Sequence, residues 1–168
     1  MDITRFLKHV FMPPALTRRR FSSGSTELIV KAIASAEQRS SGEIRLAVET
    51  ALPLRDLWSG KSPMDRAAEV FAQLRVWDTE LRNGVLIYVL MADRDVEIVA
   101  DRGAAARISL PEWESVCRLI EGHFQAGRFK EGAVAGVDEV GRLLEREFSA
   151  RPAGKPDRDE LPNQPTLL

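Results

Sequence analysis

Residues 83–103 read NGVLIYVLMADRDVEIVADRG, and the fold class follows from them. Val85 to Ala92 is an unbroken apolar run, which as a strand needs apolar cover on both faces. Asp93, Arg94 and Asp95 make a charged turn. Val96, Ile98 and Ala100 then alternate with Glu97, Val99 and Asp101, the pattern of a strand that can show one face to water. Two such strands around a short polar turn form an antiparallel hairpin. The three turn residues need no role beyond turn chemistry.

Upstream of the hairpin, Leu28, Ile29, Ala32, Ile33 and Ala36 make one stripe of a helix over about Thr26–Arg39. Glu43 to Glu49 alternates as a strand with Ile44, Leu46 and Val48 inward. A loop over 51–61 precedes Ser62-Pro63-Met64-Asp65, which supplies a serine cap, a proline in the first turn and an early acid for a helix over 62–77. A strand, a helix and a second strand in that order make a crossover, which is right-handed and parallel in nearly all sheets. Placing the all-apolar strand in the centre and the alternating strands on either side satisfies each strand's pattern. Downstream, Ser109 and Glu112 form a capping-box signature for a helix running to about Ala126. Gly127 punctuates it, and a last helix carries Phe129, Val134, Val137, Val140, Leu144 and Phe148. The reading is an α/β fold, a three-layer α/β/α sandwich around a small mixed sheet that contains a parallel β-α-β crossover and an antiparallel hairpin.

The chain has 168 residues, which suits one domain with a sizeable core. Three regions follow: residues 1–24, a basic amphipathic helix and linker; residues 25–148, the α/β domain; and residues 149–168, a proline-rich disordered tail with almost nothing to bury, whose removal should leave the fold unchanged. With 24 basic and 25 acidic residues the formal charge is -1, so no global pull toward nucleic acid exists. The single cysteine, Cys117, rules out an internal disulfide and any cysteine-based zinc cluster. It falls on the apolar face of its helix and reads as a buried structural thiol. No stretch has the ~20 apolar residues of a spanning helix. The N-terminus, interrupted by Arg5, Lys8, His9 and Pro13-Pro14, does not resemble a signal peptide. The expected compartment is the cytoplasm. In residues 1–20, Ile3, Phe6, Leu7, Val10 and Phe11 recur at helical spacing among five basic side chains and one acidic one. That helix is expected to dock on the domain, and the alternative is peripheral membrane contact through residues 3–20.

Hairpin and crossover geometry together bring several polar groups to one end of the sheet. Glu43, Asp78, Glu80, Asn83, Gly84, Asp101, Arg102 and Gly103 all fall near strand starts or ends on that side. Glu43, Asp78 and Asp101 are therefore candidate ligands for a calcium- or magnesium-type ion, which takes several oxygen donors. Glu80, Asn83, Gly84, Arg102 and Gly103 would form the edge of that site. The competing reading is a solvated edge with Arg82 or Arg102 paired to the acids. His9 and His123 are the only histidines, which leaves little support for a Ser/His/Asp or Cys/His site. Glycine-rich phosphate fingerprints are absent.

Ser41-Gly42-Glu43-Ile44, Asn83-Gly84-Val85-Leu86-Ile87 and Val96-Glu97-Ile98-Val99, followed by His123-Phe124, Gly127, Phe129, Gly132 and Gly136, resemble the TPM domain family. The resemblance covers about residues 26–148 and implies an α/β/α sandwich. It also implies a link to acid phosphatase activity, known for plant members, and to calcium, known for some members. Arg82 stands where many members carry an acid before Asn-Gly. Asp101-Arg102-Gly103 stands where many carry Gly-Tyr-Gly. Trp77-Asp78-Thr79 and the Asp101-Arg102-Gly103 end resemble a bacterial cytoplasmic branch. The leading functional expectation is a binding or assembly module in envelope or protein maintenance, with a protein partner and an optional calcium or magnesium ion as its only cofactor. The alternatives are a metal-assisted acid phosphatase using Asp78, Asp101 and Glu43 and a peripheral membrane protein.

Overall fold

The apolar run becomes the strand β2 (Gly84–Leu90), with β1 (Glu43–Glu49) on one side and β3 (Asp95–Ala100) on the other. The computed structural model describes residues 3–148 and 160–168. Its helices are α1 (Ile3–Phe11), α2 (Pro14–Arg20), α3 (Ser23–Arg39), α4 (Leu54–Trp58), α5 (Pro63–Gln73), α6 (Arg102–Ala105), α7 (Leu110–Gln125) and α8 (Phe129–Glu147). A short strand β4 (Thr166–Leu167) completes a sheet of order β3-β2-β1-β4. β1 and β2 run parallel from Glu43↔Gly84 to Glu49↔Leu90, and β2 and β3 run antiparallel from Val85↔Ala100 to Leu90↔Asp95.

Alternation along the strands sends side chains to two cores. Ile44, Leu46, Val48, Val85, Ile87, Val89, Val96 and Ile98 face α3, α7 and α8, where they meet Ile33, Ile120 and Val137. Ala47, Leu86, Tyr88 and Leu90 face the other way, toward Leu57 of α4 and Ala67 and Val70 of α5. The result is the expected α/β/α sandwich. Helix starts obey the local signals: Ser62 Oγ accepts the Asp65 N–H at 3.1 Å while Asp65 returns the bond to Ser62 N–H at 3.3 Å. Gly127, at φ +75°, ends α7 in the left-handed conformation that glycine adopts without strain.

Three expectations change. The linker read before residue 25 is mostly α2, started by Pro14 at its first position. The loop over 51–61 contains α4. The tail does not stay away from the domain where it is described. Residues 149–159 lie outside the described residues, but Leu161 is buried, and Thr166 and Leu167 pair in parallel with Ala47 and Val48. The cause lies on β1. Its second face carries Glu43, Arg45 and Glu49, all buried, and buried charges require partners. Arg45 donates to the carbonyls of Pro162 and Gln164 and to Thr166 Oγ1, while Glu43 accepts the Leu161 N–H at 3.3 Å. A count of apolar residues alone does not reveal this docking.

Candidate functional site

At the strand-start end the backbone prediction holds and the side-chain prediction does not. Glu43, Gly84 and Asp101 lie side by side, the last through its N–H to the Gly84 carbonyl at 2.9 Å. Each acid is nevertheless committed elsewhere. Glu43 takes the tail's Leu161 N–H, and Asp101 caps α6 through Arg102 N–H at 2.7 Å. Asp78 is exposed and pairs with Arg75 at 3.3 Å. Glu80 is exposed too, and its N–H binds Glu160 at 2.8 Å. Among the described residues no group of three or more His, Cys, Asp or Glu side chains is placed to hold an ion. The residues present do not fit a calcium or magnesium centre of the kind the family resemblance implies. Asn83 is structural: its Nδ2 donates to Ser41 O at 2.7 Å and its N–H binds Thr79 Oγ1 at 3.1 Å, locking the β2 start onto the approach to β1. Gly84 and Gly103 are demanded by packing. A Cβ at Gly84 would lie 2.0 Å from Val76 O, and one at Gly103 2.5 Å from Arg82 O. Arg102 stays exposed at the rim.

The opposite end of the sheet holds what the sequence reading missed. Helix α1 is attached by its polar side. Arg5 Nε donates to Asp93 Oδ2 at 2.9 Å, and both its terminal nitrogens reach Lys61 O at 3.2 Å. His9 is fully enclosed: its Nε2 lies 2.9 Å from Asp93 Oδ1, and its Nδ1 accepts the Leu52 N–H at 2.9 Å. A backbone N–H can only donate, so Nδ1 is the bare nitrogen and Nε2 carries the proton toward Asp93. Asp93 is therefore the anchor of α1 and not a free turn residue. The signal available in sequence was the spacing of Arg5 and His9, one turn apart on a single helix face. With that face and Phe6 turned inward, Ile3, Leu7, Val10 and Phe11 form an outward apolar stripe, with Ile3 69% and Phe11 74% exposed. Surface helices ordinarily bury the apolar stripe and show the polar one; α1 does the reverse. Lys8, Phe11, Arg20 and Arg94 border a common depression beside this stripe, and Arg18 and Arg19 are exposed on α2.

A third cluster lies along β3. Glu97, Asp95 and Glu121 crowd together beside Cys117 and Trp113. Burial, reinforced by Asp95 and Glu121, pushes the Glu97 carboxyl up to about 7. Burial also raises the half-buried Cys117 thiol to about 12, far from reactive thiolate chemistry. Because Glu97 binds its proton more tightly folded than unfolded, its stabilising contribution is present below its ordinary value of 4.5 and is lost as pH climbs toward about 7. Glu97→Gln is expected to raise the melting temperature at alkaline pH and to leave it almost unchanged at acid pH. Equal shifts in both melts would contradict this assignment.

The fold and its two sheet ends define an α/β/α sandwich with a polar-anchored N-terminal helix. The TPM domain model matches residues 18–143, and the chain belongs to the TPM domain family. It is similar to the solution structure of BA42 protein from the psychrophilic bacterium Bizionia argentinensis, at 35% identity and a TM-score of 0.75 over 88% of this chain and 94% of that one. The N-terminal domain of a P. gingivalis protein (18% identity, TM-score 0.59, 78% of this chain and 81% of that one) shares the fold. So does the N-terminal domain of cg2496 protein from Corynebacterium glutamicum (13% identity, TM-score 0.57, 80% and 78%). No functionally curated protein matches.

Proposed function

We propose that this TPM domain is a binding module in assembly or maintenance at the cell envelope, and that it works at an anionic membrane surface through α1. The observation that carries the reading is the inverted helix. Arg5 and His9 are consumed in fixing α1 to Asp93, so Ile3, Leu7, Val10 and Phe11 are presented outward on a rigid mount. An exposed apolar ridge with Lys8 on the same helix, followed by the exposed Arg18 and Arg19 of α2, has the composition of an interfacial helix, whose apolar face enters the acyl boundary while cations meet anionic headgroups. Each such cation contributes about 1 kcal/mol near an anionic leaflet, and the cytoplasmic leaflet is the general example. No described helix is long and apolar enough to cross a membrane, so the contact would be peripheral. The separate partners of Glu43, Asp78 and Asp101 favour this reading over a metal-assisted phosphatase.

Vesicle flotation tests the proposal. The protein should float with phosphatidylglycerol-containing vesicles at low salt, and far less with phosphatidylcholine alone or at high salt, where surface attraction is screened. A Leu7→Ser/Phe11→Ser double variant, altering two exposed side chains, should lose most of the binding with an unchanged melting temperature. Flotation that ignores both lipid charge and the double substitution, or none on any vesicle, would overturn the reading.

A further inference from the structure

Beneath the α1–α2 corner lies a cavity of about 520 Å³, within the general range of ~300–1,000 Å³ for small-molecule sites. Its floor is Met91 and Ala92, just past the end of β2, and its walls are Met12, Leu16 and Phe11. The floor is apolar in backbone as well as side chain on its donor side. Met91 N–H is bound to Glu49 O at 2.9 Å, and Ala92 N–H to Thr50 O at 3.1 Å. Two methionines among the lining groups suit an alkyl chain of variable path, because the thioether side chain is flexible and polarisable.

The mouth is cationic. Lys8, Arg20 and Arg94 line it, and among the described residues no carboxylate forms an ion pair with any of the three. The one acid in the lining, Asp93, has its oxygens engaged by Arg5 and His9. Arg20 is held over the Phe129 ring, 3.9 Å from its centroid, which fixes its position without neutralising it. Burial lowers its hold on its proton, and the charge of Arg94 lowers it further. Two guanidinium groups lining one cavity, with no carboxylate ion-paired to either among the described residues, are relieved by an anion bound there.

We infer that the cavity among α1, α2 and the β2–β3 turn binds a single-chain amphiphile, its alkyl chain on Met91, Ala92, Met12 and Leu16 and its anionic head among Lys8, Arg20 and Arg94. This goes beyond the membrane reading and does not depend on it. The membrane stripe is the outward row Ile3, Leu7, Val10 and Phe11, of which only Phe11 also borders the cavity, whereas the cavity is a pocket for one molecule in solution. A carboxylate head and a phosphate monoester head share the required chemistry. The probe set separates them: decanoate and decyl phosphate, each below its micelle threshold, against decanol and inorganic phosphate, followed by amide and methyl shifts in NMR spectra of the full chain.

Both anions, or one of them, should give saturable shifts centred on Met12, Leu16, Met91 and Ala92, and the tighter of the two names the head. Decanol should bind at least about tenfold more weakly, as expected on losing hydrogen bonds to charged groups. Inorganic phosphate should produce no saturable shift at the cavity floor. Arg94→Asp changes an exposed residue at φ +56° and should weaken anion binding about tenfold while leaving decanol unaffected. Leu16→Trp should block both anion and alcohol. If that variant does not fold, the Arg94→Asp comparison decides alone. Equal affinities for decanoate, decyl phosphate and decanol, shifts confined to the outer face of α1, or no saturable shift with any probe would overturn the inference. Failure of the unaltered chain to float with any vesicle, with decanoate binding intact, would remove the membrane proposal and leave this one standing.

Discussion

Gly84→Ala should leave little folded protein. The added Cβ would sit 2.0 Å from the carbonyl oxygen of Val76 and 3.1 Å from its carbonyl carbon, so the obstacle is backbone and cannot rotate away. Gly84 is also the first residue of β2, flanked by Glu43 on one side and, through its carbonyl, by Asp101 on the other. Moving it outward breaks both pairings, and moving Val76 disturbs a fully buried contact with the α5 core. Overpacking a core against side chains costs ~1–3 kcal/mol, and here the neighbour cannot repack. A loss beyond ~3 kcal/mol is expected, a large part of the ~5–15 kcal/mol that holds a domain together. The urea midpoint of whatever folds should fall steeply, or the chain should appear in the insoluble fraction. Gly122→Ala is the matched control. Nothing lies within 4 Å of its new Cβ on α7, and alanine in a helix interior should raise stability by ~0.5–1 kcal/mol. Similar midpoints for the two variants would refute the close-approach account of Gly84.

Much of the fold was readable from sequence, because the signals are local and periodic. An eight-residue apolar run beside an alternating one fixes a buried strand and a half-buried neighbour whatever the rest of the chain does. Ser62–Asp65 and Ser109–Glu112 announce helix starts through bonds that close within four residues. The same locality explains the failures. Glu43, Arg45 and Glu49 look like the outward face of an alternating strand. Whether they are outward depends on what covers them, and the cover comes from Arg66 seventeen residues away and from a tail more than a hundred residues away.

The candidate site divides along the same line. That Glu43, Gly84 and Asp101 are neighbours follows from register, which sequence patterning sets. Where their carboxylates turn does not. Asp101 bends to the first N–H of α6, a helix too short to leave a periodic trace. Asp78 sits in a connection whose path no pattern dictates. Asp93 went unrecognised because a charged turn is a common and self-sufficient reading. Its partners, Arg5 and His9, precede it by more than eighty residues.

Ending the chain at Phe148 is expected to destabilise the domain, contrary to what the tail's composition implies. Burial of Leu161 is worth ~1.5–3 kcal/mol, and the bonds from Arg45 to Pro162, Gln164 and Thr166 are charge-assisted, at ~1.5–3 kcal/mol for such bonds. Ordering the last residues offsets most of these gains, so the net loss should be only a small part of their sum. At this chain length each kcal/mol lost lowers the melting temperature by roughly 2–4 °C, so a fall of a few degrees is expected. Truncation also uncovers the β1 edge that Leu168 N–H closes on Val48 O at 2.9 Å, and an open edge strand promotes association between copies. The electrostatic part separates from the apolar part in a double-mutant cycle. Arg45→Met should destabilise the full chain, because it discards the bonds that the tail supplies. In the shortened chain the same substitution should cost much less or become favourable, since it removes a buried guanidinium that has lost the acceptors the tail supplied. An unchanged melting temperature on truncation would show that the tail adds nothing to the fold. Equal costs for Arg45→Met in both chains would show that Leu161 and the strand pairing, and not Arg45, hold it in place.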